Sequence, residues 1–385
     1  MSLFKSQKRI LGVDLGPSSI KIVELIRTEK GIELGTYGYA KLKFGDIKKD
    51  SALEQEKLAA LLQKICKEAK IKTTNTIASL PPFFVFSAII SIPQMQDKDI
   101  EAAVKWEAKK VIPLPLEQIE LNWKIINMKG DINKTEKKRF DLEKDEKNKI
   151  ERDDNGKANK LSSRGGDKIQ LLLTGAAKKI VNRYMEIFKR SGLNLYRLET
   201  ESFALSRSLL NKGDKMISMI VDIGALNTNI SIIKFGIPFL IRSVDIGAFT
   251  ITKIIANSMN ISIERAEQFQ YDIGIGSNDN NGDAVPKIIE ESFSAVINEI
   301  KYSFNLYEEY KHSILEQKDK IEKIVLCGGG AMMPNLTGYL SNLLDIKVYI
   351  GNPWDRVQYN QDLKLVLDEI GPNFSVAIGL AMRDL

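Results

Sequence analysis

The chain has 385 residues, long enough for two or more domains with proper cores, and its 43% hydrophobic and 28% charged residues describe a soluble globular protein. No apolar run approaches the ~18 residues a membrane span needs; the longest covers residues 83–92. The formal charge of +6 would suit nucleic acid, but residues 129–168 hold thirteen Lys/Arg and ten Asp/Glu, half of that excess, and the remainder is nearly balanced.

The N-terminus is basic, yet its apolar run is cut by Asp14 too early for a signal peptide, so the expected compartment is the cytoplasm. Residues 10–25 place two β-like apolar runs around a Gly/Pro/Ser break, which reads as strand, tight turn and returning strand. Gly12 and Gly16 flank Asp14 and let backbone N–H groups approach an anion, and Ser18, Ser19 and Lys21 can complete a phosphate cradle. Taken alone, the same stretch also fits an ordinary β-hairpin with a polar turn. A further strand is expected at 32–44, a helix with one apolar face at 51–69 and a short buried strand at 76–80.

From residue 81 to about 190 the pattern changes. A strand is expected at 83–92, then a helix capped by Asp97 and ended by Pro113 and Pro115. Two hairpin strands at 119–128 and 168–177 follow, then a helix at 177–190, giving a small βαββα module. Phe83, Phe84, Phe86 and Trp106 read mostly as core. The segment 129–168 interrupts that hairpin with twenty-three charged residues in forty, too few apolar groups to offset ordering entropy, and disorder is expected.

A strand at 193–198 and a helix at 199–210 should finish the first domain. Residues 217–233 then repeat the opening pattern: a buried strand ends in Asp222-Ile223-Gly224, a polar turn carries Asn227, Thr228 and Asn229, and an alternating strand returns. A strand at 237–241 leads through Asp245-Ile246-Gly247 to a helix ending near 259, and 262–272 and 285–317 read as helices of a smaller subdomain. Residues 278–283 faintly resemble a calcium loop, but Ser277 and Ile288 stand in ligand positions, so a polar loop is expected. A third strand at 324–327 delivers Gly328, Gly329 and Gly330 to a helix at 334–344, where free N–H groups can face a phosphate or nucleoside. Residues 371–380 read as a closing turn and helix. Cys66 and Cys327 read as buried free thiols, and the single histidine, His312, has no partner cluster, which argues against zinc sites and histidine triads.

Paired Asp-x-Gly hairpins and a late Gly-Gly-Gly turn resemble the actin, Hsp70 and sugar-kinase superfamily, in which two related domains close on a nucleotide. Lys21, seven residues after Asp14, matches the superfamily's phosphate-touching lysine. Ser79-Leu80-Pro81-Pro82-Phe83, Ile92-Pro93 and the run from Glu101 to Pro115 narrow the resemblance to the PilM family of type IV pilus assembly proteins, relatives of FtsA. The implied fold is α/β: an actin-like (ribonuclease H-like) two-domain ATPase fold with an FtsA-type βαββα extra subdomain. Residues 1–80 would open the first domain, 81–190 form the inserted subdomain, 191–215 complete the first domain, and 216–385 form the second, with 260–320 its smaller helical part.

The resemblance implies ATP with Mg²⁺, the ion held through water by Asp14 and Asp222. Gly12, Gly16, Ser18, Ser19 and Lys21 would approach phosphates from one side and Gly224, Asn227, Thr228 and Asn229 from the other, with Gly328, Gly329 and Gly330 flat against the nucleoside. Glu201 is the candidate for orienting attacking water, its alternative being a solvent-facing helix-start carboxylate. Pro17 removes one donor N–H from the cradle, so binding with slow or no turnover is expected. The implied partner is the cytoplasmic N-terminal tail of a PilN-like inner-membrane protein, held in a groove bordered by 81–92 and 97–111, with pilus motor ATPases and further copies of the chain as additional possibilities and no nucleic acid or membrane insertion. A filament-forming FtsA- or actin-like ATPase is the alternative function. An FtsA would carry an amphipathic membrane helix near its C-terminus, whereas here 381–385 directly follow the closing helix.

Overall fold

The computed structural model describes residues 7–42, 52–126, 168–276, 284–314 and 319–385. The charged insert at 129–168, save its last residue, and the polar loop at 278–283 lie outside the described residues.

Two five-stranded sheets share one topology. In the first, β1 (Arg9–Leu15) pairs antiparallel with β2 (Ser19–Thr28), which pairs with β3 (Gly31–Lys41); on its other side β1 runs parallel to β4 (Asn75–Leu80), and β4 to β8 (Asn194–Thr200). The second repeats this order with β11 (Ile237–Val244), β10 (Thr228–Lys234), β9 (Ile217–Ile223), β12 (Ile321–Cys327) and β13 (Lys347–Ile350). The central strands β1 and β9 are buried along nearly their whole length, and β4 and β12 from their second and fourth residues onward, as parallel and central strands require.

Over the first sheet lie α1 (Ala52–Glu68) and α3 (Lys178–Arg190), whose Leu58, Leu62, Tyr184, Ile187 and Phe188 share one core with Leu11 and Val13. On the second sheet, α5 (Ala248–Met259), α6 (Ile263–Asp272), α7 (Ala284–Ile314) and α8 (Leu336–Leu344) form the other large core. Between the two sheets run α4 (Glu201–Leu209) and α9 (Lys364–Ala381), and here backbone meets backbone. A Cβ on Gly12 would fall 2.0 Å from the Ala377 carbonyl oxygen, and one on Gly379 would fall 1.9 Å from that of Ala204, so only glycine lets α9 seat against β1 and α4.

A third, three-stranded sheet, order β5-β7-β6, is built from β5 (Val85–Pro93), β6 (Ile119–Ile126) and β7 (Lys168–Ala177). One face, through Ile90, Ile92, Leu171 and Leu173, buries against Ile100, Val104 and Ala108 of α2 (Asp97–Val111). The last helix of the βαββα run, α3, follows β7 but packs on the first sheet.

Several local expectations need correction. Asp97 does not cap α2: Gln96 occupies the cap position without a side-chain bond, and Asp97 sits in the first turn, where its charge suits the helix dipole. Residues 199–200 belong to β8 rather than to the following helix, because they pair with Ser79 and Leu80. Phe83 and Trp106 are surface residues, 74% and 65% exposed, and Phe84 and Phe86 are half-buried. Cys66 is half-buried rather than buried; both cysteines are free. Among the described residues no helix is long and apolar enough to cross a membrane.

Candidate functional site

The carboxyl ends of β1, β9, β12 and β8 converge, the usual place for a ligand between parallel strands. Each of the first two ends in an aspartate and a hairpin closed by the same bond: Gly16 N–H donates to Ser19 O, and Gly224 N–H to Asn227 O, both at 3.0 Å. The registers are equivalent as well, Asp14 opposite Lys21 and Asp222 opposite Asn229. At the end of β12, Gly328 adopts φ +82° and passes so close to Asp222 that a Cβ would meet Oδ1 at 2.4 Å. That contact fixes the glycine turn against the second aspartate. Gly330 is held by packing on Ile223, while a Cβ on Gly329 would meet nothing nearer than 3.7 Å, leaving its backbone face open.

Lys21 Nζ and Asp14 Oδ2 form a buried ion pair at 3.0 Å, and Ser79 Oγ donates to Asp14 Oδ1 at 3.4 Å. Burial alone would lower the Lys21 pKa; the charge and hydrogen bond of Asp14, together with Asp222 and Tyr39, outweigh it and the net shift is upward. Glu201, first residue of α4, is 8% exposed, with Oε2 accepting from Asn229 Nδ2 at 3.2 Å; Asn229 Oδ1 in turn accepts from Ser243 Oγ at 2.8 Å. This is a positioned interior carboxylate, not a solvent-facing helix start. Burial and then the charges of Asp14 and Asp222 push its pKa well above the usual range, against Lys21. Shielding from water and the charge of Asp14 likewise push Asp222 up to about 6, with Lys21 and a hydrogen bond to the Cys327 thiol opposing. Three carboxylates thus share one lysine, and burial first, then their mutual repulsion, favours the neutral forms of Glu201 and Asp222.

The remaining sequence candidates divide by where their polar atoms point. Ser19 is buried, and Ser18 and Asn227 are half-buried in the two turns. Thr228 is fully buried, its Oγ1 donating to Ile246 O at 2.7 Å. Gly12 lies away from the turn, against α9. Residue patterning missed Ser79, Cys327 and Tyr184, which complete the cluster from β4, β12 and α3; the Tyr184 hydroxyl is buried without a hydrogen-bond partner and is pushed up first by burial, then by Glu201 and Asp14. Among the described residues no group of three or more His, Cys, Asp or Glu is arranged to ligate a metal directly.

Apart from this cluster, a groove of about 850 Å³ opens between the small sheet and the first sheet. Leu172, Thr174 and Ala176, the face of β7 opposite α2, form one wall. The other wall is β8, with Phe203, Ser206 and Arg207 of α4 below. The expected border by residues 97–111 is not observed: α2 covers the other face of the small sheet and lines no part of the groove.

Comparisons with known proteins agree with this architecture. A solved PilM-PilN type IV pilus biogenesis complex superposes with a TM-score of 0.73 at 22% identity, covering 97% of this chain and 98% of that one. Ethanolamine utilization protein EutJ from Carboxydothermus hydrogenoformans superposes at 0.51 and 13% identity, over 97% and 90% of the two chains. Cell division protein FtsA of Neisseria meningitidis serogroup B is 25% identical over 228 residues, 54% of this chain and 52% of its own; FtsA of Borreliella burgdorferi is 24% identical over 234, 55% and 53%. The chain therefore spans about half the length of the curated relatives it matches. The fold is the actin-like two-domain fold. Because the model of the family described as type IV pilus assembly protein PilM matches residues 12–151 and 158–385, across both hairpins, the small sheet and the glycine turn, the chain belongs to the PilM family.

Proposed function

We propose that the chain is a nucleotide-binding adaptor of the type IV pilus, or a related secretion platform, that captures the cytoplasmic N-terminal tail of a PilN-like inner-membrane protein. The observation that carries this reading is the separation of a buried carboxylate cluster, Asp14, Glu201 and Asp222 around Lys21, from the groove beside the small sheet, in a chain whose fold follows that of the PilM-PilN complex over nearly its whole length. Held through such a partner, the protein would lie in the cytoplasm at the inner membrane.

The donor set suits Mg·ATP. An excess of carboxylate, with Glu201 and Asp222 pushed toward their neutral forms, is the charge pattern a divalent cation relieves, and hard oxygen donors suit Mg²⁺ held through its water shell. The orphaned Tyr184 hydroxyl offers that shell a further hydrogen-bond donor. Asp14 and Asp222 would hold the hydrated ion. Lys21, Ser18, Ser19 and the N–H groups near Gly16 would meet phosphate from the first hairpin, with Gly224, Asn227 and Asn229 opposite; Thr228, expected from the sequence to join them, turns its hydroxyl to Ile246 O instead. Gly328, Gly329 and Gly330 would border the nucleoside. When bound, Mg²⁺ neutralises phosphate charge and orients the oxygens. Glu201 is kept in place by Asn229 and protonated more readily than an ordinary glutamate, and Pro17 withholds a donor, so slow or absent turnover is expected.

Calorimetric titration of the full chain with Mg·ATP, then with the partner's tail peptide, tests both halves. Saturable binding of each supports the adaptor; a folded protein that takes up neither would end it. The FtsA relatives favour a second reading, a filament-forming ATPase. Polymers sedimenting only with Mg·ATP would support it, and their consistent absence would remove it.

A further inference from the structure

Alternate residues of a strand point to opposite sides, and β8 uses its two sides for different chemistry. Leu198 joins the apolar core that holds Leu80 and, from the small sheet, Ala176. Its neighbours Arg197 and Glu199 turn the other way, to the end of α9. There Arg197 Nη2 lies 3.4 Å from Asp384 Oδ2, and Glu199 pairs with Arg383. This side of β8 looks away from the small sheet.

Three further guanidinium groups gather here. Arg207 of α4 donates to both oxygens of Glu199 at 2.7 and 3.1 Å, and to Gly379 O in the last turn of α9. Arg356 Nη2 lies 3.9 Å from Met382 Sδ, a weak acceptor. Arg27 stands at the end of β2 opposite Ile32, whose carbonyl accepts from Gln358 N–H at 2.8 Å, and so brings the segment of Arg356 alongside.

The five are unequally matched. Glu199 is engaged by Arg207 and Arg383, and Asp384 by Arg197 and the Tyr196 hydroxyl. Among the described residues no carboxylate is bonded to Arg27 or Arg356; Asp355, beside Arg356, accepts from Asn352 Nδ2 at 2.6 Å. The whole lining of this concavity carries, among the described residues, eight Lys or Arg against three Asp or Glu. A carboxylate at Leu385 would offset one of them. Burial first, then the charge of Arg207, pushes the Arg356 pKa down; Arg383 is pushed down by burial and, against Glu199, by Arg207 and Arg197.

Crowded guanidinium groups short of carboxylate are the converse of the carboxylate cluster: an added anion relieves them. Their planar forks match the oxygens of phosphate in pairs. Arg27 is exposed and Arg356 half-buried, so both can be reached from solvent. We propose that this end of the concavity is an anion site for a phosphate-bearing ligand, gripped between Arg27 and Arg356 with Arg207 and Arg383 behind them, and separate from the carboxylate cluster. It rests on neither the nucleotide nor the tail reading.

Inorganic pyrophosphate is the probe, titrated calorimetrically into the full chain at pH 8 with EDTA, which keeps divalent cations from the carboxylate cluster and leaves it repelling the probe. Saturable binding is expected, weakened at least about tenfold by Arg27→Gln or Arg356→Gln, the scale of losing one charged hydrogen bond. Because each change removes like charge, the ligand-free variants should unfold at the same denaturant concentration as the wild type or a higher one. Sedimentation with vesicles of equal phosphatidylglycerol and phosphatidylcholine separates the sources. Capture that both substitutions abolish assigns the phosphate to a lipid headgroup, and pyrophosphate binding without capture assigns it to a soluble ligand. Neither binding nor capture, or either one unchanged in both variants, overturns the site.

Discussion

The two aspartate hairpins are the same structure with different charge balances. Register puts Lys21 opposite Asp14 in the first and Asn229 opposite Asp222 in the second. The first aspartate is therefore neutralised inside its own hairpin at 3.0 Å, while the second faces an amide whose nitrogen is turned to Glu201. Hence Asp14 has a cation of its own hairpin bonded to it, whereas Asp222 has none and meets Lys21 only from across the cluster.

The largest expected effect breaks the first half. Asp14→Ala takes from the buried Lys21 ammonium the carboxylate it is bonded to, and removing one member of a buried pair costs about 3–5 kcal/mol. Asp222→Asn, in contrast, removes repulsion and should leave the nucleotide-free protein unchanged or more stable. Chemical denaturation of both variants decides it; equal losses would mean that the two hairpins carry charge in the same way.

Binding should reverse that ranking. Asp222→Asn is expected to weaken Mg·ATP about 100-fold, the scale of losing a charged hydrogen bond of up to about 3 kcal/mol, despite an intact fold. Calorimetry in which this variant binds like the wild type would remove Asp222 from the site.

A third, smaller difference lies in pH. With Asp222 at about 6 when folded against an ordinary value near 4, the native state binds more protons than the unfolded chain between those pH values. Stability of the nucleotide-free protein should therefore fall as pH rises from about 4 through 6, by up to about 3 kcal/mol from this group, and level off above about 7. Asp222→Asn should flatten that slope by the same amount. Melting curves at several pH values check the sign, and a wild-type slope retained in the variant would assign it to other groups.

This asymmetry was only partly legible in the residues. Both Asp-x-Gly turns and the glycine run announce themselves, because their chemistry is local and the intervals repeat. The match of Lys21 to Asn229 was equally available, but its consequence depends on Glu201, Ser79, Cys327 and Tyr184, delivered by four other elements. β13 and the first turns of α9 left no clear pattern, since four residues suffice for an edge strand and Leu365 and Val366 on α9 are exposed. Glu199 and Thr200 read as helix because nothing local marks their pairing with β4. Trp106 looked like core because apolarity was the only cue, whereas burial was decided by which face of α2 met the sheet. The groove was the least legible feature, assembled from residues as far apart as Arg27 and Arg383.

The smallest prediction concerns the position where the hairpins differ most quietly. Ile20 and Thr228 occupy equivalent places, opposite Leu15 and Ile223, and both are fully buried. In the first hairpin the side chain is simply apolar. In the second, the Thr228 hydroxyl donates to Ile246 O at 2.7 Å, while Gly247 packs over Gly224 and Ala225 so closely that a Cβ would meet their backbone at 2.6 Å. Thr228 thus tethers the loop before α5 to the turn. Thr228→Val keeps the shape and removes one hydrogen bond, so it should cost about 1 kcal/mol of stability and leave Mg·ATP affinity within about threefold. A tenfold loss of affinity with unchanged stability would mean instead that the hydroxyl turns to the ligand on binding, and the second hairpin would contact phosphate through a side chain that the first does not possess.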